Sequence, residues 1–592
     1  MKRFLFLMFA TVTMLTSALG LSSCGKHTHS YSDTVTNPTC TEKGYTTHTC
    51  SCGESFIDSY VDALGHSFEN NICTVCEEHY YSEGLKFTLL DDDTYSVSKG
   101  DFTGNSLVIP EIYNGKPVTD INEKGFYYCD SIKNVTIPNS IKKIGYQAFS
   151  FSGLKAITIP DSVEIINDSA FANCQSLESV TLSNNITEIS RELFYYCELL
   201  KEITIPNSVK FIKSGAFSNC RSLKNIVLPN SVRWIDKQSF FCCSSLENIT
   251  LSNEMVDIGE SAFYGCISLE SIIVPNRVNW IGKTVFSGCT SLSSVTIGKN
   301  VSSIGEKAFA DCTSLKEITI PDSVIEIGEF AFNGCSSLES MTLPFTGKSA
   351  TVSNIYEGVF GYIFGYKTTK NQSDFTDDVT VQYLEQPNSS TLTTYYLYYI
   401  PKSIKSVTIT GNSINSYAFS SCTSLTNVTI GNRVKSIEKH AFSSCTSLTN
   451  VTIGNRVKSI EKHAFSSCTS LTNITIGNGV NTIGNNAFMF CSSLETITIP
   501  NSVESIGSFA FSYCTLIKSL VMGNGINIIN DHIFYYGNLE KIYYYGTASD
   551  WGKIAIHEIA FDPNPTIYYY SETTPTDTGN YWHYVNESPT AW

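Results

Sequence analysis

A period of 23 residues, marked by cysteine, runs through most of this 592-residue chain. In one copy Cys445 is followed by Leu448, Val451 and Ile453, and the next copy begins at Cys468. The cysteines at this position are Cys174, Cys197, Cys220, Cys243, Cys266, Cys289, Cys312, Cys335, Cys422, Cys445, Cys468, Cys491 and Cys514. A fixed period of this length is typical of a solenoid, in which stacked repeats bury a core that no single repeat could bury.

Each repeat contains a strand signal that separates an inner from an outer face. Val451, Thr452 and Ile453 alternate apolar and polar, which predicts a strand with Val451 and Ile453 inside and Thr452 outside. A proline or glycine then turns the chain, and a second short extended piece follows around Ile460. The spacing of Ala464, Phe465 and Cys468 is helical and predicts a turn or two of helix.

The full motif resembles a known repeat family. Residues Cys312 to Phe332 follow the pattern Cys-x-x-Leu-x-x-Ile-x-Ile-Pro-x-x-Val-x-x-Ile-Gly-x-x-Ala-Phe, which is similar to the BspA-like, Treponema-type leucine-rich repeats of bacterial surface proteins. The resemblance implies an α/β repeat solenoid, a leucine-rich repeat arc with one long parallel β-sheet. It also implies an adhesin-like role, without naming a ligand.

Changes in the pattern divide the chain into segments. An acidic turn between two β-prone runs predicts a hairpin that caps the first coil, and a tyrosine-rich run predicts a β-type C-terminal cap. The expected segments are a signal peptide (1–23), a Cys/His-rich segment (24–83), the cap hairpin (84–106), repeat block 1 (107–345), an aromatic-rich insertion (346–400), repeat block 2 (401–538), the C-terminal cap (539–570) and a loosely held tail (571–592). Residues 420–442 and 443–465 are identical, which indicates a tandem duplication of one coil.

The N-terminus and the overall charge indicate where the protein acts. A cationic start and an apolar stretch predict export, and Leu21-Ser22-Ser23-Cys24 resembles a bacterial lipobox. That resemblance implies lipidation of Cys24 and anchoring to the membrane at the cell surface; the alternative is an ordinary signal peptide with a chance cysteine. The net charge of −16 argues against nucleic acid, because binding phosphates needs clustered Lys and Arg.

Two groups of cysteines are candidates for chemistry. In the repeats, small buried thiols that only pack are favoured over disulfides or catalysis, because Ser152 and Gly537 replace cysteine without disturbing neighbouring coils. In the N-terminal segment, Cys50, Cys52, Cys73 and Cys76 have a spacing compatible with a structural zinc site. Two disulfides are the alternative, since exported proteins favour them.

Two sets of residues are candidates for binding. The first is the outward threonines on the expected concave face: Thr181, Thr204, Thr250, Thr296, Thr319, Thr429, Thr452 and Thr475. The second is in the insertion: Tyr356, Tyr362, Tyr366, Tyr396 and Tyr399. Threonine also suits any strand ladder, and tyrosines of an insertion can simply cover its own core, so both sets have a structural interpretation as well.

Taken together, these patterns favour a non-catalytic surface protein that binds extracellular proteins or neighbouring cells. One alternative is a structural spacer of the cell envelope without a specific ligand. A more remote one is a thiol- or zinc-dependent activity of the N-terminal segment. Apart from structural zinc, no cofactor is expected.

Overall fold

The computed structural model describes residues 29–40, 42–65, 68–69, 72–73, 81–351, 354–369, 379–386, 394–561 and 564–592. The chain divides into two compact units, residues 1–81 and 82–592. Cys24 and Cys76 lie outside the described residues.

The first unit is a small antiparallel sheet. Its three strands are Tyr31–Thr36, Gly44–Cys50 and Ser55–Val61, with the middle one in the centre. A two-residue hairpin pairs Phe68–Glu69 with Ile72–Cys73. The register places Tyr31 opposite Cys50, so the start of the first strand lies beside the turn that ends the second.

The second unit is the predicted solenoid, built from two rows of strands. The first row contains the Val-Thr-Ile positions, and its strands are Ser106–Val108, Asn134–Thr136, Ala156–Thr158, Ser179–Thr181, Glu202–Ile203, Asn225–Val227, Asn248–Thr250, Ser271–Ile273, Ser294–Thr296, Glu317–Thr319, Ser340–Leu343, Ser406–Ile409, Asn427–Ile430, Asn450–Ile453, Asn473–Thr475, Thr496–Ile499, Ser519–Met522 and Lys541–Tyr544. Consecutive strands that pair are parallel, as where Asn427 lies opposite Asn450. The β-branched residues suit these half-buried strands.

The second row consists of shorter strands, two residues in each regular coil. Its members are Lys116–Ile121, Lys143–Ile144, Ile165–Ile166, Glu188–Ile189, Phe211–Ile212, Trp234–Ile235, Asp257–Ile258, Trp280–Ile281, Ser303–Ile304, Glu326–Ile327, Ser413–Ile414, Ser436–Ile437, Ser459–Ile460, Thr482–Ile483, Ser505–Ile506, Ile528–Ile529 and Ala555–Ile556. The leucine-rich repeat solenoid is therefore confirmed, with its parallel strands arranged in two rows.

The stretch predicted as a short helix is formed by tight turns instead. Two residues in each regular coil have left-handed backbone, for example His440 with φ 59° and Ser444 with φ 62°. Helical spacing of apolar residues placed Ala441 and Phe442 correctly inside, but the left-handed residues on both sides prevent a helix from propagating. Among the described residues the one α-helix is Ala548–Trp551, which follows the N-cap Thr547.

The core is one continuous column of apolar side chains along the solenoid. Phenylalanines stack from coil to coil; the rings of Phe442 and Phe465 are 5.0 Å apart and nearly parallel. Within each block the repeat cysteines also reach back one coil, as where the Cys468 Sγ–H donates to the backbone oxygen of Phe442 at 3.2 Å; among the described residues no such bond is seen for Cys422, the first of block 2. The packing role predicted for these thiols thus includes a hydrogen bond between coils.

The insertion interrupts the sequence period but not the solenoid. Ser340–Leu343 pairs directly with Ser406–Ile409. The insertion contains two 3₁₀ turns, Ile355–Glu357 and Phe360–Ile363, and an antiparallel sheet of Tyr366–Thr369, Val379–Gln386 and Thr394–Pro401. Phe360 stands 4.9 Å from Phe419 and 5.1 Å from Phe364, and Phe364 is 6.5 Å from Phe332. These two insertion residues continue the phenylalanine column across the break.

Both ends of the solenoid are covered by β-structure. At the N-terminal end, Lys86–Leu89 and Tyr95–Ser98 form the predicted hairpin, and Ile112–Tyr113 pairs with Lys116–Ile121. At the C-terminal end, Thr566–Tyr570, Tyr581–Val585 and Ser588–Ala591 extend the first row. Residues 571–592 are therefore not a loose tail, because Trp582 is fully buried and donates to the backbone oxygen of Tyr544 at 2.9 Å. In the described part of the chain, no helix has the length and apolar character needed to cross a membrane.

Candidate functional site

The outward threonines form an exposed column on the first row of strands, which we call the threonine face. All eight predicted threonines are exposed: Thr181, Thr204, Thr250, Thr296, Thr319, Thr429, Thr452 and Thr475. In the duplicated coil, Thr452 lies between Val451 and Ile453, which are each 2% exposed. Strand alternation therefore sends the hydroxyl outward while its neighbours fill the core.

The column continues across the insertion. Thr342 lies opposite Thr319 on one side and opposite Thr408 on the other. Thr408 in turn lies opposite Thr429. The threonine-bearing strands of the two repeat blocks therefore stay in register across the insertion. Thr342 and Thr408 are half-buried there, and exposed Val227 and Ile273 take the threonine position in two coils of block 1.

The residues beside the threonines differ between the two blocks. In block 1 charged pairs link adjacent coils, such as Lys201 with Glu178 at 2.7 Å and Lys224 with Glu247 at 3.4 Å. Asparagine amides also link coils, once in block 1, where the Asn248 Nδ2–H donates to Oδ1 of Asn225 at 3.1 Å, and repeatedly in block 2. The Asn450 Nδ2–H donates to Oδ1 of Asn427 at 2.8 Å, and the Asn473 Nδ2–H donates to Oδ1 of Asn450 at 3.0 Å. The two blocks thus differ in the share of charged and amide contacts beside the threonines.

Shallow depressions occur along the threonine face. One is lined by Thr181, Lys201, Thr204 and Lys224, and another by Thr296, Thr319 and Thr342. A third includes Thr475, Thr498 and Tyr545. Polar side chains over shallow relief suit contacts spread over several coils rather than a deep small-molecule pocket.

The structure places the predicted insertion tyrosines in different environments. Tyr362 is only 8% exposed, and the backbone oxygen of Tyr356 accepts a hydrogen bond from the Tyr398 hydroxyl at 2.6 Å. Tyr366 is half-buried with its ring 5.9 Å from that of Phe330. Tyr399 is also half-buried, while Tyr396 belongs to the strand Thr394–Pro401 and its side chain is outside the description.

In the N-terminal unit the cysteines form a different grouping from the predicted four-sulfur set. The Sγ atoms of Cys40 and Cys73 are 3.6 Å apart. Cys50 and Cys52 instead cluster with His29, whose Nδ1 is 3.3 Å from each of their sulfurs. The histidines of this segment were visible in the sequence, but their spacing did not show that His29 joins these two thiols.

The thiols of the two units differ in acidity. Hydrogen bonds from the thiol and backbone N–H of Cys52, and from His29, lower the pKa of Cys50 to about 7. Burial has the opposite effect in the solenoid and raises the pKa of Cys335 and Cys445 to about 12. These two repeat thiols are consequently poor nucleophiles and poor metal ligands at neutral pH.

The fold and the face define a leucine-rich repeat protein. The model of the BspA type leucine-rich repeat region matches residues 95–222, 187–315, 279–377, 390–495 and 435–558. These ranges cover well over half of the chain, and the protein belongs to this family.

Similarity to solved structures is low in sequence. A leucine-rich repeat protein from Bacteroides ovatus is 22% identical with a TM-score of 0.38, over 83% of this chain and 99% of that chain. A leucine-rich cell surface protein from Faecalibacterium prausnitzii is 24% identical with a TM-score of 0.23, over 80% and 97%. The leucine-rich repeat protein of T. pallidum is 24% identical with a TM-score of 0.24, over 40% and 91%. None of the curated proteins is similar enough to count as a relative.

Proposed function

We propose that this chain is a non-catalytic binding protein of the bacterial cell surface, and that its threonine face contacts extracellular proteins or neighbouring cells. The repeat blocks 107–345 and 401–538 would carry the contact surface. Many weak contacts along such a face add up to useful avidity without a deep pocket.

The observation that supports this proposal is the shared register of the threonine-bearing strands on the two sides of the insertion. Thr319, Thr342, Thr408 and Thr429 remain in register although an insertion separates their coils in sequence. The insertion also supplies Phe360 and Phe364 to the core, so the strands that carry the threonines stay paired where the period fails.

The proposal places the protein outside the cell, held by a lipid on Cys24. Its support is the cationic and apolar N-terminus followed by Leu21-Ser22-Ser23-Cys24, together with membership of a family that includes surface proteins. Fractionation of cells should find the full chain in the membrane fraction and accessible to added protease. Cys24→Ser should release it from the membrane, whereas Cys242→Ser, a change in the solenoid, should not.

Binding is tested with substitutions that add bulk and charge to the face. Thr452→Lys and Thr475→Lys alter the threonine face, and Thr482→Lys is the matched control because Thr482 is equally classed as exposed but lies in the second row of strands. The probes are immobilised extracellular matrix proteins and intact cells of other bacterial species. We expect saturable binding that the first two changes weaken at least about tenfold, a loss of about 1.4 kcal/mol, and that the control leaves unchanged.

The same experiment separates binding from a purely structural role. A spacer of the envelope predicts no saturable binding to any of these probes. If Thr475→Lys and Thr482→Lys weaken binding equally, the threonine face is not the contact surface, even though the protein binds.

The insertion is proposed as a second contact surface through Tyr366 and Tyr399. Deleting all of it would also remove Phe360 and Phe364 from the core. A better variant combines Tyr366→Ala with Tyr399→Ala, which removes the two proposed contact side chains and leaves Phe360 and Phe364 in place. Reduced binding with an unchanged melting temperature supports a contact role, and unchanged binding removes these two tyrosines from the contact surface.

A further inference from the structure

The loop between the second and third strands of the N-terminal unit gathers several metal-ligand side chains. The Cys50 N–H donates to the backbone oxygen of Glu54 at 2.8 Å, and the Gly53 N–H donates to that of Cys50 at 2.9 Å. Gly53 has φ 94°, a conformation that side-chain-bearing residues rarely adopt. This tight loop places Cys50, Cys52 and Glu54 within one turn of chain.

His29 reaches the same place through the register of the sheet. Tyr31 lies opposite Cys50, so the residue two positions before it extends past the strand to the loop. The His29 Nδ1 lies 3.3 Å from both sulfurs and 3.8 Å from Oε2 of Glu54. The ligand atoms of His29, Cys50 and Cys52 all lie within 4.8 Å of one another.

These separations match those around one zinc ion. With bonds of about 2.3 Å to sulfur and 2.0–2.1 Å to nitrogen, a tetrahedral site separates its sulfur and nitrogen ligands by roughly 3.6 Å. The observed distances of 3.3 Å need only a small expansion to admit the ion. The repeat thiols offer no comparable group among the described residues, since each donates to a backbone carbonyl or packs in the column.

The sheet that carries this cluster needs such a link. Among the described residues of this unit, the apolar side chains classed as buried are those of Cys40, Cys50 and Cys73. Val35, Phe56 and Ile57 are between 45% and 65% exposed. A sheet without a hydrophobic core of its own is marginal in water, and small domains of this kind are usually stabilised by metals or disulfides.

We propose that His29, Cys50 and Cys52 bind one Zn²⁺ ion, with the carboxylate of Glu54 as the fourth ligand. Binding exchanges the two thiol protons for zinc–sulfur bonds and releases the protons to solvent. The ion ties the start of the first strand to the loop after the second. The site is structural and closed, and it is separate from the Cys40–Cys73 pair.

Cobalt is the probe, because tetrahedral thiolate-bound Co²⁺ absorbs visibly whereas Zn²⁺ is silent. The full chain is reduced, freed of metal with a chelator, and titrated with Co²⁺ without air. We expect thiolate-to-cobalt absorption that saturates at one ion per chain and disappears when Zn²⁺ is added. Hydrogen exchange should slow in residues 31–61 when Zn²⁺ binds.

Variants distinguish this site from the other thiols. Cys52→Ser and His29→Gln should each weaken cobalt binding at least about tenfold. Cys52 is exposed, so its replacement takes away a ligand without removing a buried side chain. Cys242→Ser, a partly buried solenoid thiol, should bind cobalt like the unchanged chain. The proposal is overturned if the reduced chain shows no thiolate–cobalt absorption, as a role for Cys50 and Cys52 in a disulfide alone would predict. It is also overturned if Cys52→Ser keeps the absorption.

Discussion

The Cys445 thiol donates a hydrogen bond to the backbone oxygen of Phe419, 3.0 Å away in the preceding coil. The same oxygen accepts the backbone N–H of Cys422. One carbonyl thus joins its own coil to the next, and the arrangement repeats with Cys468 and Phe442. The repeat cysteine is therefore a small apolar residue that also holds adjacent coils in register.

Replacing this thiol should destabilise the solenoid, and more so when both the hydrogen bond and the packing volume are removed. Cys445→Ala removes the hydrogen bond and leaves a small void, and we expect the free energy of unfolding to fall by about 1–2 kcal/mol. Cys445→Ser keeps a hydroxyl donor and should cost less; serine already occupies this position at Ser152, whose Oγ lies 3.2 Å from Sγ of Cys174. Denaturant unfolding measures both. Cys242→Ala, outside the column, should change stability by less than about 0.5 kcal/mol, and an equal cost there would contradict the assignment.

A pair of stacked histidines should make the solenoid sensitive to acid. The rings of His440 and His463 are 4.7 Å apart, and burial, together with the charge of His463, lowers the pKa of His440 from 6.5 to about 4. Below pH 6.5 His440 therefore becomes protonated in the unfolded chain, whereas in the folded chain it stays neutral until about pH 4. Stability should fall through this window, by about 1–2 kcal/mol once solvent screening of these half-buried groups is allowed for.

Asparagine provides a matched replacement for both histidines. Asn486 occupies the same left-handed position in the next coil, with φ 59°, so His440→Asn and His463→Asn keep the backbone conformation. The difference between the melting temperatures at pH 7 and pH 5 should be smaller in the double variant than in the unchanged chain. An undiminished loss between these pH values would assign the acid sensitivity to other groups.

Removal of one duplicated coil should leave a folded protein. Residues 420–442 and 443–465 are identical, and deleting 443–465 lets Thr429 pair with Thr475 in the existing register. Because each coil contacts only its neighbours, the shortened chain should still fold. Its circular dichroism spectrum should match that of the unchanged chain, and its stability should be slightly lower. Circular dichroism and thermal melting test this. Deletion of the 12 residues 443–454, which breaks the period, should instead abolish cooperative melting.

The insertion should be needed for the core as well as for the surface. Phe360 is 1% exposed between Phe364 and Phe419, so Phe360→Ala should cost about 3–5 kcal/mol, as for other buried phenylalanines. Phe442→Ala in the regular column should cost a similar amount. If Phe360→Ala lowers the free energy of unfolding by less than about 1 kcal/mol in denaturant unfolding, the insertion does not contribute to the phenylalanine column.

Much of this architecture is predictable from the sequence because the period and the alternation act locally. A 23-residue repeat that returns Val451, Ile453 and Phe465 to the same place can bury them only by stacking, and alternation then sends Thr452 outward. Helical spacing around Ala464 was misleading. The same inward positions arise from turns with a left-handed residue at His463, and apolar spacing cannot distinguish the two over so short a segment.

Tertiary structure decided what depends on contacts between distant parts of the chain. The sheet register brings His29 to Cys50 and Cys52, whereas the spacing of cysteines alone pointed to Cys73. Likewise, Phe360 joins the core because the insertion folds back into the break. Repetition makes stacking a nearest-neighbour problem that one repeat can specify, but side chains from unrelated segments meet only when the whole backbone is in place.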